Sequence, residues 1–419
     1  MNLDTTRPLP PAAAATVATA SPLALPPMAI VASSVVTSAG VGRDALARAM
    51  RDHRSALRPN VISSRPLPTM VGDVVGVDDA HVPPALRRLD CRNHRLATMA
   101  LRADGFEAAV ARVTQRLGAA RIGVIMGTST ASIGASEAAY RQRDDQGRVP
   151  EAARVPELHS LHSLGLFVQL ALGLSGPAIT LSTACSSSAK GLAMAQRWLA
   201  LHVVDAVVVG GADSLCDSVL FGFHALQLVS PDVCRPFDAT RRGINLGEGA
   251  GFALLMREGD APEGCARLLG VGESSDAHHL SAPQPDGVSI EVAVRQALLR
   301  AQLAPADIQC INLHGTATLQ NDAVEAAMVM RVFAPGVHAS STKGFTGHTL
   351  GASGIIEAVI GLLSIEQGFM PGTVNSTQID PAWGGHIQSH PVHAPVRHVV
   401  SHAFGFGGSN AALVLGTAR

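Results

Sequence analysis

Ala178-Ile179-Thr180-Leu181-Ser182-Thr183-Ala184-Cys185-Ser186-Ser187-Ser188-Ala189 reads as a strand that turns into a helix, with a cysteine at the turn. The four residues before Ser182 are apolar or β-branched. From Ala189 to Ala200 the residues are small or helix-favouring. A side chain at such a junction meets the unpaired N–H groups of the first helical turn and the positive end of the helix dipole. Both favour thiolate over thiol, and the thiolate is the nucleophile. The small neighbours leave room for a substrate. A free cysteine is also a common core residue, so this stretch alone decides the local fold and not the chemistry.

The same alternation continues in both directions. Residues 28–32 predict a short strand, and 44–58 an arginine-rich helix (Arg48, Arg51, Arg54, Arg58). Residues 121–126 predict a strand, followed by the turn Gly127-Thr128-Ser129-Thr130, and 161–174 a helix. The β-branched run 205–211 predicts a buried strand, and 246–256 contains another. Further strands are expected over 308–313, 337–341, 396–401 and 411–415, and helices over 322–332 and 351–367. Strands alternating with helices predict an α/β fold with largely parallel sheets covered by helices. The helices after Cys185 and after His348 both open with small residues and continue rich in Ala, Leu or Ile. This echo predicts two similar halves, residues 28–260 and 266–419.

Composition narrows the class. The chain has 419 residues, 47% of them apolar, with 41 glycines and 3% aromatics. That suits a Gly/Ala-rich globular enzyme with closely packed helices. A net charge of −1 gives no whole-chain case for nucleic acid or an anionic membrane. The six cysteines (91, 185, 216, 234, 265, 310) form no C-x-x-C pair, and the 17 histidines form no H-E-x-x-H. Neither a disulfide framework nor a zinc site is expected, and a reduced, cytoplasmic setting fits. Residues 1–27 read as a flexible Pro/Ala-rich tail rather than a signal peptide, because prolines break the apolar run and Asp4 precedes it. No apolar stretch reaches the ~18 uninterrupted residues of a spanning helix.

Three further stretches carry chemistry-capable side chains. They are Asn312-Leu313-His314-Gly315-Thr316-Ala317-Thr318 with Asp322 and Glu325 behind it, residues 341–354 with Lys343 and His348, and Ala403-Phe404-Gly405-Phe406-Gly407-Gly408-Ser409-Asn410. Both histidines fall beside glycine at strand or turn ends, where α/β folds expose side chains to a cleft. Singly, His314 could be a core histidine, His348 a helix cap, Lys343 a solvated charge and the glycine loop a tight turn. The loop lacks the dinucleotide and P-loop patterns, so nucleotide binding is not expected.

Together these stretches resemble the elongating β-ketoacyl-[acyl-carrier-protein] synthases. The motifs appear in that family's order: TACSSSA, RPFDATRRGINLGEGAG (residues 235–251), HGTAT, STKGFTGH and FGFGGSN. The resemblance runs from about Met28 to the C-terminus. It implies the thiolase fold, two similar halves in a five-layer α-β-α-β-α arrangement, with the nucleophile in the first half and the histidines in the second. Thiolases carry a second cysteine late in the chain, whereas the last here is Cys310. Chain-initiating synthases pair Cys with His and Asn, unlike the two histidines here.

The implied reaction is decarboxylative condensation of an acyl group on Cys185 with malonyl-acyl carrier protein. The products are 3-oxoacyl-acyl carrier protein and CO2, in fatty acid or polyene/polyketide synthesis. The implied roles are Cys185 as nucleophile, and His314 and His348 as donors to the enolate. Lys343 would set the histidine electrostatics with Glu325 as partner. Phe404 would be the gatekeeper, its N–H joining that of Cys185 in the oxyanion hole. Thr316 and Thr318 match positions that bind the phosphopantetheine arm, and Thr130, Phe223, Gly405 and Phe406 match substrate-binding positions. No metal or dissociable cofactor is implied, since the phosphopantetheine arrives on the carrier protein. The implied partners are acyl carrier protein, with Arg48, Arg51, Arg54 and Arg58 as candidate docking charges, and a second subunit in a homodimer or a heterodimer with a related chain-length partner. A non-condensing malonyl decarboxylase or a structural partner subunit is the alternative, but the first usually lacks the cysteine and the second tolerates loss of the histidines and lysine.

Departures bear on the substrate. The segment 230–235 is short, His402 stands where Asn is usual, and Thr130 falls where a bulky aliphatic residue often limits the acyl pocket. With Cys91-Arg92-Asn93-His94-Arg95, these resemble ketosynthases of aryl-polyene pathways and imply a conjugated acyl chain.

Overall fold

The computed structural model describes residues 25–417 apart from Gly384, so residues 1–24 of the expected tail lie outside the described residues. Five strands of the first half are β1 (Met28–Thr37), β2 (Ile122–Gly127), β3 (Ala178–Leu181), β4 (Ala206–Asp213) and β5 (Gly249–Arg257). Five of the second are β6 (Ala266–Ser275), β7 (Cys310–Asn312), β8 (His338–Ser340), β9 (His398–Gly405) and β10 (Ser409–Gly416). The order across the sheet is β8-β7-β9-β10-β6-β1-β5-β4-β2-β3, with the short strand Gly40–Val41 beside β1.

Each half repeats one pattern. In chain order the strands lie 3-2-4-5-1 across each half, the first two pairings parallel and the next two antiparallel. The sheet is therefore mixed rather than largely parallel. β9 and β10 show why: only a three-residue turn joins them, and a turn that short can make only an antiparallel pair.

Five layers result. Helices α1 (Arg92–Arg102), α2 (Phe106–Leu117) and α3 (Ser163–Ala171) cover the outer face of the first half. Helices α4 (Ser187–Ala200), before which Cys185 lies, and, later in the chain, α5 (Val288–Ala301), α6 (Leu319–Val332) and α7 (Ser353–Gln367) form the other helical layers. α5 and α6 cover the outer face of the second half. α4 and α7 pack against each other between the two half-sheets, in one core with Val207, Val209, Leu413 and Leu415. Residues 350–367 are long and apolar enough to cross a membrane, but 83% of that stretch is buried in this middle layer.

The N-terminal ends of α4 and α7 meet closely. A Cβ on Gly354 would lie 2.6 Å from the backbone nitrogen of Ala189, and one on Gly127 2.4 Å from that of Ser188. Ile355 N–H donates to Ser188 Oγ at 3.0 Å. Small residues at both helix starts thus allow an approach that any larger side chain would block. The arginine-rich helix is shorter than expected, Arg43–Arg51, and the chain turns at His53 with φ 49.

Candidate active site

Cys185 precedes α4, and Ala184 before it has φ 51, a left-handed conformation uncommon for alanine. His348 precedes α7. The meeting of the two helices brings Cys185 Sγ and His348 Nε2, 163 residues apart in sequence, to 3.0 Å. The motif at residues 235–251 supplies the clamp on His348. Its N–H donates to Asn245 O and its carbonyl accepts from Gly247 N–H, both at 2.9 Å. Leu350 N–H donates to His348 Nδ1 at 3.2 Å. Nδ1 must therefore be an acceptor, which places the ring proton on Nε2, facing sulfur. His348 is a donor to this site and not a base for the thiol.

His314 follows β7. The ligand atoms of Cys185, His314 and His348 all lie within 4.8 Å of one another. The two imidazoles meet edge to face at 5.3 Å. Behind His314, Glu325 is fully buried and accepts His314 N–H at 2.8 Å and Gly315 N–H at 2.7 Å. Its remaining partner is His402, Nδ1 to Oε1 2.8 Å. Glu325 is thus not the partner expected for Lys343. Lys343 Nζ bonds Glu357 Oε1 at 2.5 Å, both side chains buried. The signal for Glu357 lies in the sequence: a lone carboxylate within the apolar run Ile355-Ile356-Glu357-Ala358-Val359-Ile360 must find a partner, because an unpaired buried charge is too costly.

Burial dominates the electrostatics. Both histidines are held well below the usual imidazole range, first by desolvation and then by the Lys343 charge, so their ring N–H groups belong to neutral imidazoles. Burial also pushes the Cys185 thiol up to about 11, against the opposing pull of Lys343 and of Phe406 N–H. This corrects the expectation of a thiolate. The amides of Ser186 and Ser187, near the helix start, already donate to Thr183 O and Ala184 O and so do not serve the sulfur.

A cavity of about 470 Å³ opens onto this cluster, lined by Cys185, His314, His348, Thr316, Thr318, Phe223, Phe404, Gly405 and Phe406 among others. The hydroxyls of Thr316 and Thr318 lie 2.9 Å apart. Three expectations need correction. The backbone N–H that reaches the sulfur is that of Phe406, not Phe404. Phe404 lies within β9, buried, its ring stacked on His402 at 5.1 Å and 5.9 Å from His314. Phe406 sits on the β9–β10 turn, half-buried, its ring stacked on Phe223 at 5.6 Å. The ring on the cavity-lining turn is thus that of Phe406, while Phe404 is packed within the strand. Thr130 does not line this cavity. It is spent on Asp213, which accepts its N–H at 2.9 Å and its hydroxyl at 2.5 Å. Arg48, Arg51 and Arg54 are exposed, but the rim carries Arg242, paired with Asp232.

The signature of the β-ketoacyl synthase N-terminal domain matches residues 26–261, and that of the C-terminal domain residues 265–377. The chain belongs to the β-ketoacyl synthase family. It is a condensing acyltransferase, and its reaction is the family's decarboxylative condensation of an acyl group with a malonyl unit. Nodulation protein E of Rhizobium sp. (strain N33) is 33% identical over 394 residues, 89% of this chain and 95% of that one. 3-Oxoacyl-[acyl-carrier-protein] synthase 2 of Rhizobium meliloti (strain 1021) is 35% identical over 70% of this chain and 73% of its own length. Among solved structures, a ketosynthase in complex with its chain length factor from Xenorhabdus doucetiae is 34% identical with a TM-score of 0.84. That alignment covers 94% of this chain and 98% of that one.

Within this β-ketoacyl synthase, Cys91-Arg92-Asn93-His94-Arg95 starts α1, away from the catalytic cavity. Arg92 grips Glu248 through two bonds of 2.7 Å, and Glu248 in turn accepts Val74 and Leu215 N–H. Arg95 forks onto Asp90. His94 Nδ1 lies 2.5 Å from Leu89 O, and its ring stacks on Phe167 at 4.4 Å. This motif holds the helix on the sheet and lines a second cavity of about 300 Å³ with Ser132, Ser214 and Cys216.

Proposed function

We propose that Cys185 carries the growing acyl chain, that His314 and His348 stabilise the malonyl-derived enolate, and that the chain is a conjugated polyene. The observation that carries the catalytic assignment is the His348 Nε2–H facing Cys185 Sγ at 3.0 Å, with His314 in the same cavity. Cys185 sulfur attacks the thioester carbon of acyl-acyl carrier protein. The bond from that carbon to the phosphopantetheine sulfur breaks, and the leaving sulfur takes up the proton that Cys185 gave. The N–H groups of Cys185 and Phe406 face the oxyanion.

Malonyl-acyl carrier protein then enters. Its carboxylate leaves as CO2 and the bonding pair moves onto the thioester oxygen, where neutral imidazole N–H donors meet the charge. The enolate carbon attacks the Cys185 thioester, a carbon–carbon bond forms, and Cys185 leaves as thiolate, which takes up a proton from solvent to return to the resting thiol. Decarboxylation drives the step, so no dissociable cofactor is called for. The paired hydroxyls of Thr316 and Thr318 suit the amides of the phosphopantetheine arm.

The polyene assignment rests on the sequence resemblance carried by residues 91–95, the short segment 230–235 and His402; Thr130, spent on Asp213, no longer supports it. A heterodimer with a chain-length partner is favoured by the 34% identical ketosynthase that has one. The second subunit has an available face: β3 is an edge strand of half-exposed residues, with Leu161 and Leu170 exposed on neighbouring segments. A cytoplasmic setting completes the proposal.

Cys185→Ala should abolish acylation and condensation, and an acylated Cys185→Ala protein in mass spectrometry would overturn the assignment. Polyenoyl thioesters of the carrier protein should be extended faster than saturated ones, and a preference for saturated chains would defeat the polyene reading.

A further inference from the structure

We infer that His402 is a positioning residue for the decarboxylation half-reaction, acting through Glu325 on the turn that aims the His314 ring. The inference rests on the role proposed above for His314. Glu325 is fully buried, and three N–H donors surround it: the backbone of His314 and of Gly315, and the His402 ring. Among the described residues His402 is its one side-chain partner, because Lys343 is committed to Glu357. A carboxylate at zero exposure with two backbone donors alone would keep unmet acceptor capacity, and its orientation would be weakly held.

The turn that Glu325 holds has little slack. Gly315 has φ +33, and a Cβ there would lie 2.5 Å from the Ser341 Cβ. A shift of the carboxylate therefore moves the His314 backbone. His402 also reaches His314 by a second route, since its ring stacks on Phe404, which touches the His314 ring. Facing a carboxylate, His402 Nδ1 carries the proton. Its Nε2 is buried without a partner among the described residues, so the ring bonds on one side there. Cys185 and His348 are held separately, by α4, α7 and Asn245, and meet this chain of contacts at its far end, where the His348 ring lies edge to face on the His314 ring. Because Glu325 and His402 hold the His314 turn and not the sulfur, a change at His402 falls on the decarboxylation half-reaction before the acyl-transfer half-reaction.

Two substitutions separate the donor from the ring. His402→Phe keeps an aromatic ring against Phe404 and loses the donor; His402→Leu does the same with a smaller side chain if phenylalanine is not accommodated. His402→Asn keeps a donor near the Nδ1 position and loses the ring. With the full enzyme and its carrier protein, His402→Phe should lower kcat for CO2 release from malonyl-acyl carrier protein about tenfold, the effect of one hydrogen bond to a charged group. KM and the rate of acyl transfer to Cys185 should stay within about twofold. His402→Asn should restore most of the loss, and His402→Phe should add little in a Glu325→Gln background. CO2 release unchanged in both His402→Phe and His402→Leu, equal loss in both half-reactions, or no rescue by asparagine overturns the inference. A wild-type enzyme that releases no CO2 instead overturns the assignment of His314 on which it rests.

Discussion

His348 shows how a single backbone bond assigns a chemical role. Leu350 N–H occupies Nδ1, so the ring can only donate at Nε2. That geometry suits the proposed role of steadying negative charge on the enolate oxygen and does not suit removal of the thiol proton. With the thiol pushed up to about 11 by burial, Cys185 rests protonated when no substrate is bound. Its alkylation by iodoacetamide, followed on the Cys185 peptide, should climb about tenfold per pH unit between about pH 7 and 10 without a plateau. A plateau near neutral pH would mean that the thiolate is already formed. Residue types and order made Cys185, His314, His348 and Lys343 legible in the sequence. Their partners were not: Glu357 rather than Glu325 takes Lys343, and Phe406 rather than Phe404 reaches the sulfur. Both carboxylates are buried and both phenylalanines line the cavity, so which of them meets the lysine or the sulfur is set by packing between distant segments and not by spacing in the chain.

At the scale of elements, the site is a meeting of two helix starts. Gly354 lets α7 approach Ala189 on α4. Gly354→Ala should cost roughly 1–3 kcal/mol by overpacking. It should lower Tm and, by separating Cys185 from His348, lower kcat as well. An unchanged Tm would show that the helices have room to part. Long, strongly patterned elements were legible: the β-branched β4 and the apolar α7 both appear near their expected limits. Helix α5 was not expected, although Ile290, Ala293, Val294, Ala297, Leu298 and Ala301 line one face at helical spacing. The arginine-rich helix ends at Arg51 although basic residues favour helix beyond it, because the chain turns at His53.

At the scale of the molecule, buried neutral histidines tie stability to pH. Burial lowers His94 to about 4, while an unfolded histidine titrates near 6.5. The folded state therefore binds fewer protons in that window. The His94 contribution is present above 6.5 and is lost as pH falls towards 4, up to about 3 kcal/mol. His314 and His348 shift in the same direction. Thermal unfolding measured from pH 7 to about 4 should show Tm falling steeply below 6.5, and His94→Gln, which cannot take up a proton, should fall less steeply. Parallel curves would remove His94 from the account.

The sequence by itself determined the α/β class, the strand-to-helix junction at Cys185, and the set and order of side chains that can do acyl-transfer chemistry. Those follow from local patterning and from residue chemistry, which act over a few positions. Only the tertiary structure decided that the sheet is mixed and that each half repeats one strand order. It also decided that the thiol rests protonated, that Thr130 serves Asp213 and not the cavity, and that His402 shares Glu325 with the His314 turn. Each depends on burial and on contacts between residues far apart in the chain, and no local pattern encodes which partner a buried charge will find.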